Sequence, residues 1–262
     1  MRFVLISCLV LEASSFSSLH TAVSSASYRH SWERKLFVST QSTTTTTTTT
    51  PYDEDIYARS AFGTRAYWDD VYQGMGDFPK DEYSWYYGYD VIKPYLTKVA
   101  SPASLPTILM PGIGNDPMLL DLYANGYTNL VAFDYSEHAI ERQKDLLSYE
   151  LDKQRPQQQQ SKNTPAIELH QMDARFLQSS WTERFDVILE KGALDAIYLS
   201  GDGNVEASVR ELDRVLKPGG YVISVSGVVP DDVRQIMFAD YVWIRDGAED
   251  LRAGCFVFQK PF

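Results

Sequence analysis

The chain has 262 residues, 44% of them hydrophobic and 13% aromatic, enough for one sizeable core in one or two domains. Its net charge is −11. A surface that acidic repels phosphate backbones, so nucleic acid is not expected as a partner.

In chain order, Met1-Arg2 and the apolar run FVLISCLVL have the n- and h-region pattern of a signal peptide. The run is far shorter than the roughly 18–20 apolar residues of a membrane span, so no span is expected. The following EASSFSSLHTAVSSASYRHS is Ser-rich and acid-poor, like a transit peptide. Together they read as an organelle address, plastid or secretory, with an unstructured N-terminus as the alternative. Thr43–Thr50 and Pro51 form a low-complexity linker. Residues 1–52 are therefore expected as leader and disordered linker, and 53–262 as the folded domain. A Gln-rich stretch at 152–165 interrupts that domain as a surface loop, because a Gln run cannot bury itself. Two cysteines, Cys8 and Cys255, supply no disulfide framework and no CxxC pair. The four histidines have no HxxxH spacing, so no metal is expected.

From residue 107 short β-like runs alternate with helical ones. TILM (107–110) reads as a strand. Asp116 and Pro117 read as N-cap and first position of a helix that buries Leu119, Leu120 and Tyr123 and stops at Gly126. NLVAFD (129–134) is a second strand; the helix after Ser136 runs to about Leu151, with Ile140 and Leu147 inward. AIELHQM (166–172), FDVILE (185–190) and YVISVS (221–226) are further strands. A helix at 205–216 precedes the last of these and a short one near 231–238 follows it. YVWIRD and GCFVFQK close the chain as a pair with no helical pattern between them. The fold class is α/β: a doubly wound, mostly parallel sheet with an antiparallel hairpin at its C-terminal edge. Ligands in such sheets bind beyond the carboxyl ends of the strands.

Pro111-Gly112-Ile113-Gly114 lies at that edge, and so does Asp134. Glycines there allow a sharp turn and a close ligand approach. An acid ending the second strand, twenty residues after Gly114, is placed to accept two ribose hydroxyls. The dinucleotide pattern GxGxxG needs a third small residue where this chain has Pro117, and Asp116 puts negative charge where a pyrophosphate would sit. Both favour a ribose-bearing cofactor without phosphate, S-adenosylmethionine. Asp173 ends the third strand, either to hydrogen-bond an adenine or to cap a turn. LEKGALDAIY (189–198) follows the fourth strand as a polar loop, with Glu190, Lys191, Asp195 and Tyr198 clustered in it.

At these residues the chain resembles the class I, seven-strand methyltransferases, and more closely the branch that methylates lysines of translation elongation factor 1A. The similarity spans about residues 65–262. It is carried by YWDDVY (67–72), EYSWYYGY (82–89), FDYSEHAI, MDAR, RVLKPGG, FVFQK and above all EKGALDA (190–196). Two departures are Met110, where the branch usually has an acid, and Asn115-Asp116 in place of a third glycine. The leader and the Gln insertion have no counterpart. The resemblance implies the Rossmann-like class I methyltransferase fold. It implies that Tyr67, Trp68 and Trp85 close over the cofactor, and that Gly112, Gly114, Asp134, Tyr135, Asp173, Ala174 and Lys191 line it. It implies a protein partner presenting a lysine, with elongation factor 1A as the type substrate.

Methyl transfer needs a neutral amine held in line, and lysine is mostly protonated at neutral pH. An aromatic mouth of Tyr67, Trp68, Trp85, Tyr86 and Tyr87 draws in the cation and lowers its pKa by desolvation. Glu190 or Asp195 is the candidate to orient the amine or receive its proton. Two other readings stay open: a small-molecule methyltransferase, and a non-catalytic cofactor-binding or scaffold protein. The compartment is cytoplasmic by resemblance, and an organelle if the leader is used.

Overall fold

The computed structural model describes residues 56–75, 84–154, 166–247 and 253–262, with backbone only for 152–154. The leader, the Thr run and most of the Gln-rich stretch lie outside the described residues.

Seven strands form one sheet: β1 (Thr107–Pro111), β2 (Asn129–Asp134), β3 (Ala166–Gln171), β4 (Phe185–Lys191), β5 (Leu216–Ser226), β6 (Val242–Arg245) and β7 (Gly254–Gln259). Their order is β3-β2-β1-β4-β5-β7-β6. The first five are parallel, and β7 runs antiparallel between β5 and β6. The central strands are nearly continuous apolar runs because both of their faces are covered. Side chains alternate between two cores with the strand period of two. Ile108, Met110, Leu130, Ala132, Val187 and Leu189 face one core; Leu109, Val131, Phe133 and Ile188 face the other.

The helices are α1 (Arg65–Gln73), α2 (Tyr89–Val99), α3 (Met118–Ala124), α4 (Glu137–Gln154), α5 (Ala193–Leu199), α6 (Asn204–Val215) and α7 (Asp231–Met237). The first core takes Ile92 and Leu96 of α2 and Met118, Leu119 and Leu122 of α3; the second takes Leu194 of α5 and Val205 and Leu212 of α6. Each such fully buried aliphatic side chain contributes about 1.5–3 kcal/mol.

Four expectations shift. Helix α3 starts at Met118, so it buries Met118, Leu119 and Leu122, with Leu120 and Tyr123 half-buried. Leu146 is the inward leucine of α4 and Leu147 is half-buried. Residues 193–199, read as loop, are α5; seven residues make under two turns, too few for a periodic signal. The closing pair is antiparallel as expected, but β7 inserts beside β5 and leaves β6 outermost. No helix among the described residues is long and apolar enough to cross a membrane.

Strand order reverses between β1 and β4, which opens a crevice at their carboxyl ends. The glycines and Asp134 stand there.

Candidate functional site

A cavity of about 650 Å³ lies beyond the carboxyl ends of β1 to β4, within the size of small-molecule sites. The loop from Gly112 to Pro117 forms its floor. Gly112 and Gly114 have φ of 58° and 54°, the left-handed region that favours glycine. A Cβ on Gly112 would lie 2.7 Å from the Ala193 methyl, and one on Gly114 would lie 2.7 Å from the Tyr72 hydroxyl. The two glycines thus serve handedness and close packing against protein atoms. Buried Gln143 of α4 braces the loop, its Nε2 donating to the Gly114 carbonyl at 2.9 Å and the Asp116 carbonyl at 2.8 Å. Asp116 stands one residue before the N-cap of α3, which is Pro117 rather than Asp116 as expected, and it accepts from the Met118 amide at 2.9 Å.

Asp134 accepts from the Gly114 and Ser136 amides, each at 2.9 Å. Burial pushes its carboxyl up to about 6, although those amide bonds pull the other way. Each oxygen keeps lone-pair capacity, and the residue lines the cavity. A buried carboxylate on the cavity wall that can accept further hydrogen bonds fits a vicinal diol, so it suits the ribose of S-adenosylmethionine. Tyr135 follows on the wall, its hydroxyl donating to the Thr64 carbonyl at 3.3 Å. Asp173 and Ala174 line the far end. Asp173 also performs the turn role: it accepts from the Arg175 amide at 2.8 Å and pairs with that guanidinium at 2.6 Å.

The N-terminal aromatics cover the cavity as one cluster. Trp68 packs on Phe62, Tyr67, Tyr72 and Trp85 with centroids 5.2–6.3 Å apart, and its Nε1 donates to the Phe62 carbonyl at 2.8 Å. Trp68 and Trp85 reach the cavity wall; Tyr67 does not. Lys191 at the end of β4 ties this cover down. Its Nζ donates to the Trp85 carbonyl at 2.6 Å and the Ser84 hydroxyl at 3.0 Å, and pairs with Asp116. Burial pulls the ammonium down, against the opposing pull of Asp116.

Asp195, in the first turn of α5, accepts five hydrogen bonds. Tyr86 Oη and Ser226 Oγ donate at 2.6 Å, and the amides of Gly227, Val228 and Val229 at 2.9–3.1 Å. It therefore joins α5, the Tyr86 segment and the loop after β5. Burial and the adjacent Asp195 push the Tyr86 phenol well up, so it stays protonated and donates.

Glu190 points away from the cavity. It is fully buried, accepting from the Leu194 amide at 3.2 Å and from Ser224. Burial and the Asp195 charge push it up to about 8. The strand alternation that turns Glu190 inward turns Lys191 out to the site. A carboxyl raised in the folded state favours folding at low pH, and that contribution is lost as pH climbs from about 4.5 through about 8. Thermal unfolding of Glu190→Gln against the parent at pH 6 and pH 9 should show the variant gaining at pH 9, by a few kcal/mol at roughly 1.4 kcal/mol per unit. A pH-independent difference would refute this.

Of the residues singled out in the sequence, Trp68, Trp85, Tyr86, Gly112, Gly114, Asp134, Tyr135, Asp173, Ala174, Lys191 and Asp195 line the cavity, whereas Tyr67, Tyr87, Glu190 and Tyr198 do not. Tyr72 was missed. It sits four residues after Trp68, and helical spacing alone puts both on one face.

Residues 109–224 match the family described as methyltransferase domain. EEF1A lysine methyltransferase 4 of Bos taurus is 28% identical over 188 residues, 68% of this chain and 66% of the relative. EEF1A lysine methyltransferase 2 of Danio rerio is 29% identical over 199 residues, 72% of this chain and 78% of the relative. The chain spans only 21–66% of the length of the first three curated relatives it matches. Among solved structures, the cyclase SpnF aligns with a TM-score of 0.52 at 13% identity, over 78% of this chain and 97% of that one, which speaks for the fold alone. Sheet order and matched domain agree: residues 109–224 match a methyltransferase domain, set on a sheet with the strand order of the class I methyltransferase fold.

Proposed function

We propose that the chain is a protein-lysine N-methyltransferase whose acceptor is an elongation factor 1A-like protein. One observation carries this reading: Trp85 and Tyr86 are fastened across the carboxyl end of β4, by Lys191 and Asp195, at the edge of the cavity. The Tyr86 ring lies 3.4 Å from where a Gly192 Cβ would be. An aromatic wall at this place suits a long alkylammonium better than a small polar acceptor. The printed names of the relatives above point the same way.

When bound, S-adenosylmethionine supplies a methyl group activated by its sulfonium. Gly112, Gly114 and Asp134 hold the nucleoside side, and Trp68 and Trp85 exclude water. The wall carboxylates are already engaged: Asp195 by five donors, Asp116 by Lys191, Asp173 by Arg175. The lysine therefore sheds its proton to bulk water on entry, before the aromatic mouth closes around the neutral amine, which desolvation favours. Asp195 acts by positioning Tyr86 and the loop after β5.

The test is transfer of labelled methyl from S-adenosylmethionine by the full chain, offered purified elongation factor 1A and size-fractionated lysate. A methyllysine located by peptide mass spectrometry supports the reading; label confined to the small-molecule fraction replaces it with a small-molecule acceptor. This acceptor also requires the chain to act in the cytoplasm. A fluorescent protein fused after residue 50 should then stay diffuse, and accumulation in an organelle would separate the chain from that substrate.

A further inference from the structure

Arg234 of α7 is 4% exposed, and a guanidinium that deep persists only where its charge and its donors are met. They are met on the loop after β5. One terminal nitrogen donates to the Ser226 hydroxyl at 3.0 Å and to the Val229 carbonyl at 2.8 Å, and the other pairs with Asp231 at 2.7 Å. The guanidinium carbon lies 3.8 Å from the Phe256 ring centroid, which seats the group against β7.

Asp195 holds the opposite side of the same loop. Its Oδ1 accepts from the Ser226 hydroxyl at 2.6 Å and from the Val228 and Val229 amides at 3.1 and 2.9 Å. Its Oδ2 accepts from the Gly227 amide at 2.9 Å and from the Tyr86 hydroxyl at 2.6 Å. Ser226 is the link, because its oxygen accepts from Arg234 while its proton goes to Asp195. Residues 226–229 are thus clasped between a buried cation, which takes a carbonyl, and a buried anion, which takes the amides. The cation serves a second acid as well: its charge pulls Glu190 down, against burial and Asp195. Val228 is exposed and on the cavity wall, and one carboxylate registers it to Tyr86. Arg234 itself is not on that wall.

We propose that Arg234 is a positioning residue for the methyl acceptor: through Ser226 and Asp195 it holds the loop after β5 so that Val228 packs on the alkyl chain of the acceptor lysine. This rests on the reading of the Tyr86 end of the cavity as the acceptor mouth.

The test is steady-state methyl transfer to purified elongation factor 1A by the full chain, Arg234→Lys, Ser226→Ala and the double variant. Calorimetry with S-adenosylhomocysteine and amide hydrogen exchange are measured on each. Arg234→Lys keeps the charge and loses the fork that reaches Ser226, Val229 and Asp231 together. Its kcat/KM for the acceptor should fall about tenfold, through KM, as a misplaced wall loosens the acceptor's alignment. Affinity for S-adenosylhomocysteine should not change, and the amides of 226–229 should exchange faster while the strands stay protected. Ser226→Ala cuts only the link, a loss of about fivefold for one hydrogen bond. The two residues act in series, so the double variant should be no worse than Arg234→Lys. Losses that multiply in the double variant overturn the proposal, as do an unchanged kcat/KM or unchanged exchange in Arg234→Lys, or a parallel fall in cofactor affinity. If Arg234→Lys does not fold, Ser226→Ala decides alone, and an unchanged KM overturns the proposal. A parent chain that transfers no methyl to elongation factor 1A is a separate result: it removes the acceptor reading, and the positioning role with it.

Discussion

Asp134→Ala is expected to weaken S-adenosylhomocysteine binding by about 100-fold or more and to abolish methyl transfer at ordinary cofactor concentrations. Two hydrogen bonds from ribose hydroxyls to a carboxylate are each worth about 1.5–3 kcal/mol, and every 1.4 kcal/mol is tenfold. The variant also frees the Gly114 and Ser136 amides, which loosens the loop that forms the cavity floor. Asp134→Asn separates the two effects, because its amide oxygen can keep one backbone bond while the charge is gone. Binding should also depend on pH. Burial lifts Asp134 to about 6 in the free protein, and the protonated acid is a poorer acceptor. Affinity should fall as pH drops from 7 to 5, and binding near pH 6 should release protons, read as a buffer-dependent heat. Asp134→Asn should flatten this profile. For stability the sign is opposite to that of a salt-bridged acid. A raised carboxyl favours the fold below about 4, and that contribution is lost as pH rises through about 6. The free chain is therefore strained at neutral pH at this residue, and hydroxyl donors relieve the strain. Unaltered affinity in Asp134→Ala would remove this residue from the site.

The second large effect is at Asp195. Asp195→Ala strips the partner from two hydroxyls and three backbone amides, all close to 2.6–3.1 Å. Truncating so heavily used a buried acid should cost about 3–5 kcal/mol. At about 2–4 °C per kcal/mol for a domain of this size, the unfolding temperature should drop by roughly 10 °C. Transfer should be lost with it, because the Tyr86 segment and the loop after β5 both come free. Tyr86→Phe removes one of the five donors and leaves Asp195 with four. Its stability should stay within about 1 kcal/mol of the parent, while kcat/KM for the protein acceptor falls about tenfold, with cofactor affinity unchanged. That split distinguishes positioning of the acceptor mouth from general loss of fold. Tyr86→Phe with unchanged kcat/KM would show that the phenol–carboxylate bond does not shape the mouth, and Asp195→Ala with an unchanged unfolding temperature would show that the five bonds carry little.

The alternating strand and helix pattern determined the doubly wound sheet, because strands covered on both faces must be apolar runs and amphipathic helices must cover them. The glycine pair and the acid twenty residues on were legible as a cavity edge, since handedness at Gly112 and Gly114 and the strand end at Asp134 are local properties of the chain. Lys191 and Asp195 were legible as site residues from the motif that holds them. Their partners were not. Lys191 reaches Asp116 and the Trp85 carbonyl across 75 and 106 residues, and Asp195 reaches Tyr86 across 109. No periodicity encodes such distances; only packing of α1 and the Ser84–Tyr87 segment over the sheet brings them together. The same holds for β7, whose place between β5 and β6 is decided by which hydrophobic face each strand can bury rather than by its order in the chain. Glu190 and Lys191 are the sharpest case. They are adjacent in sequence and equally polar, and the pleat of β4 alone sends one into the core and the other to the site.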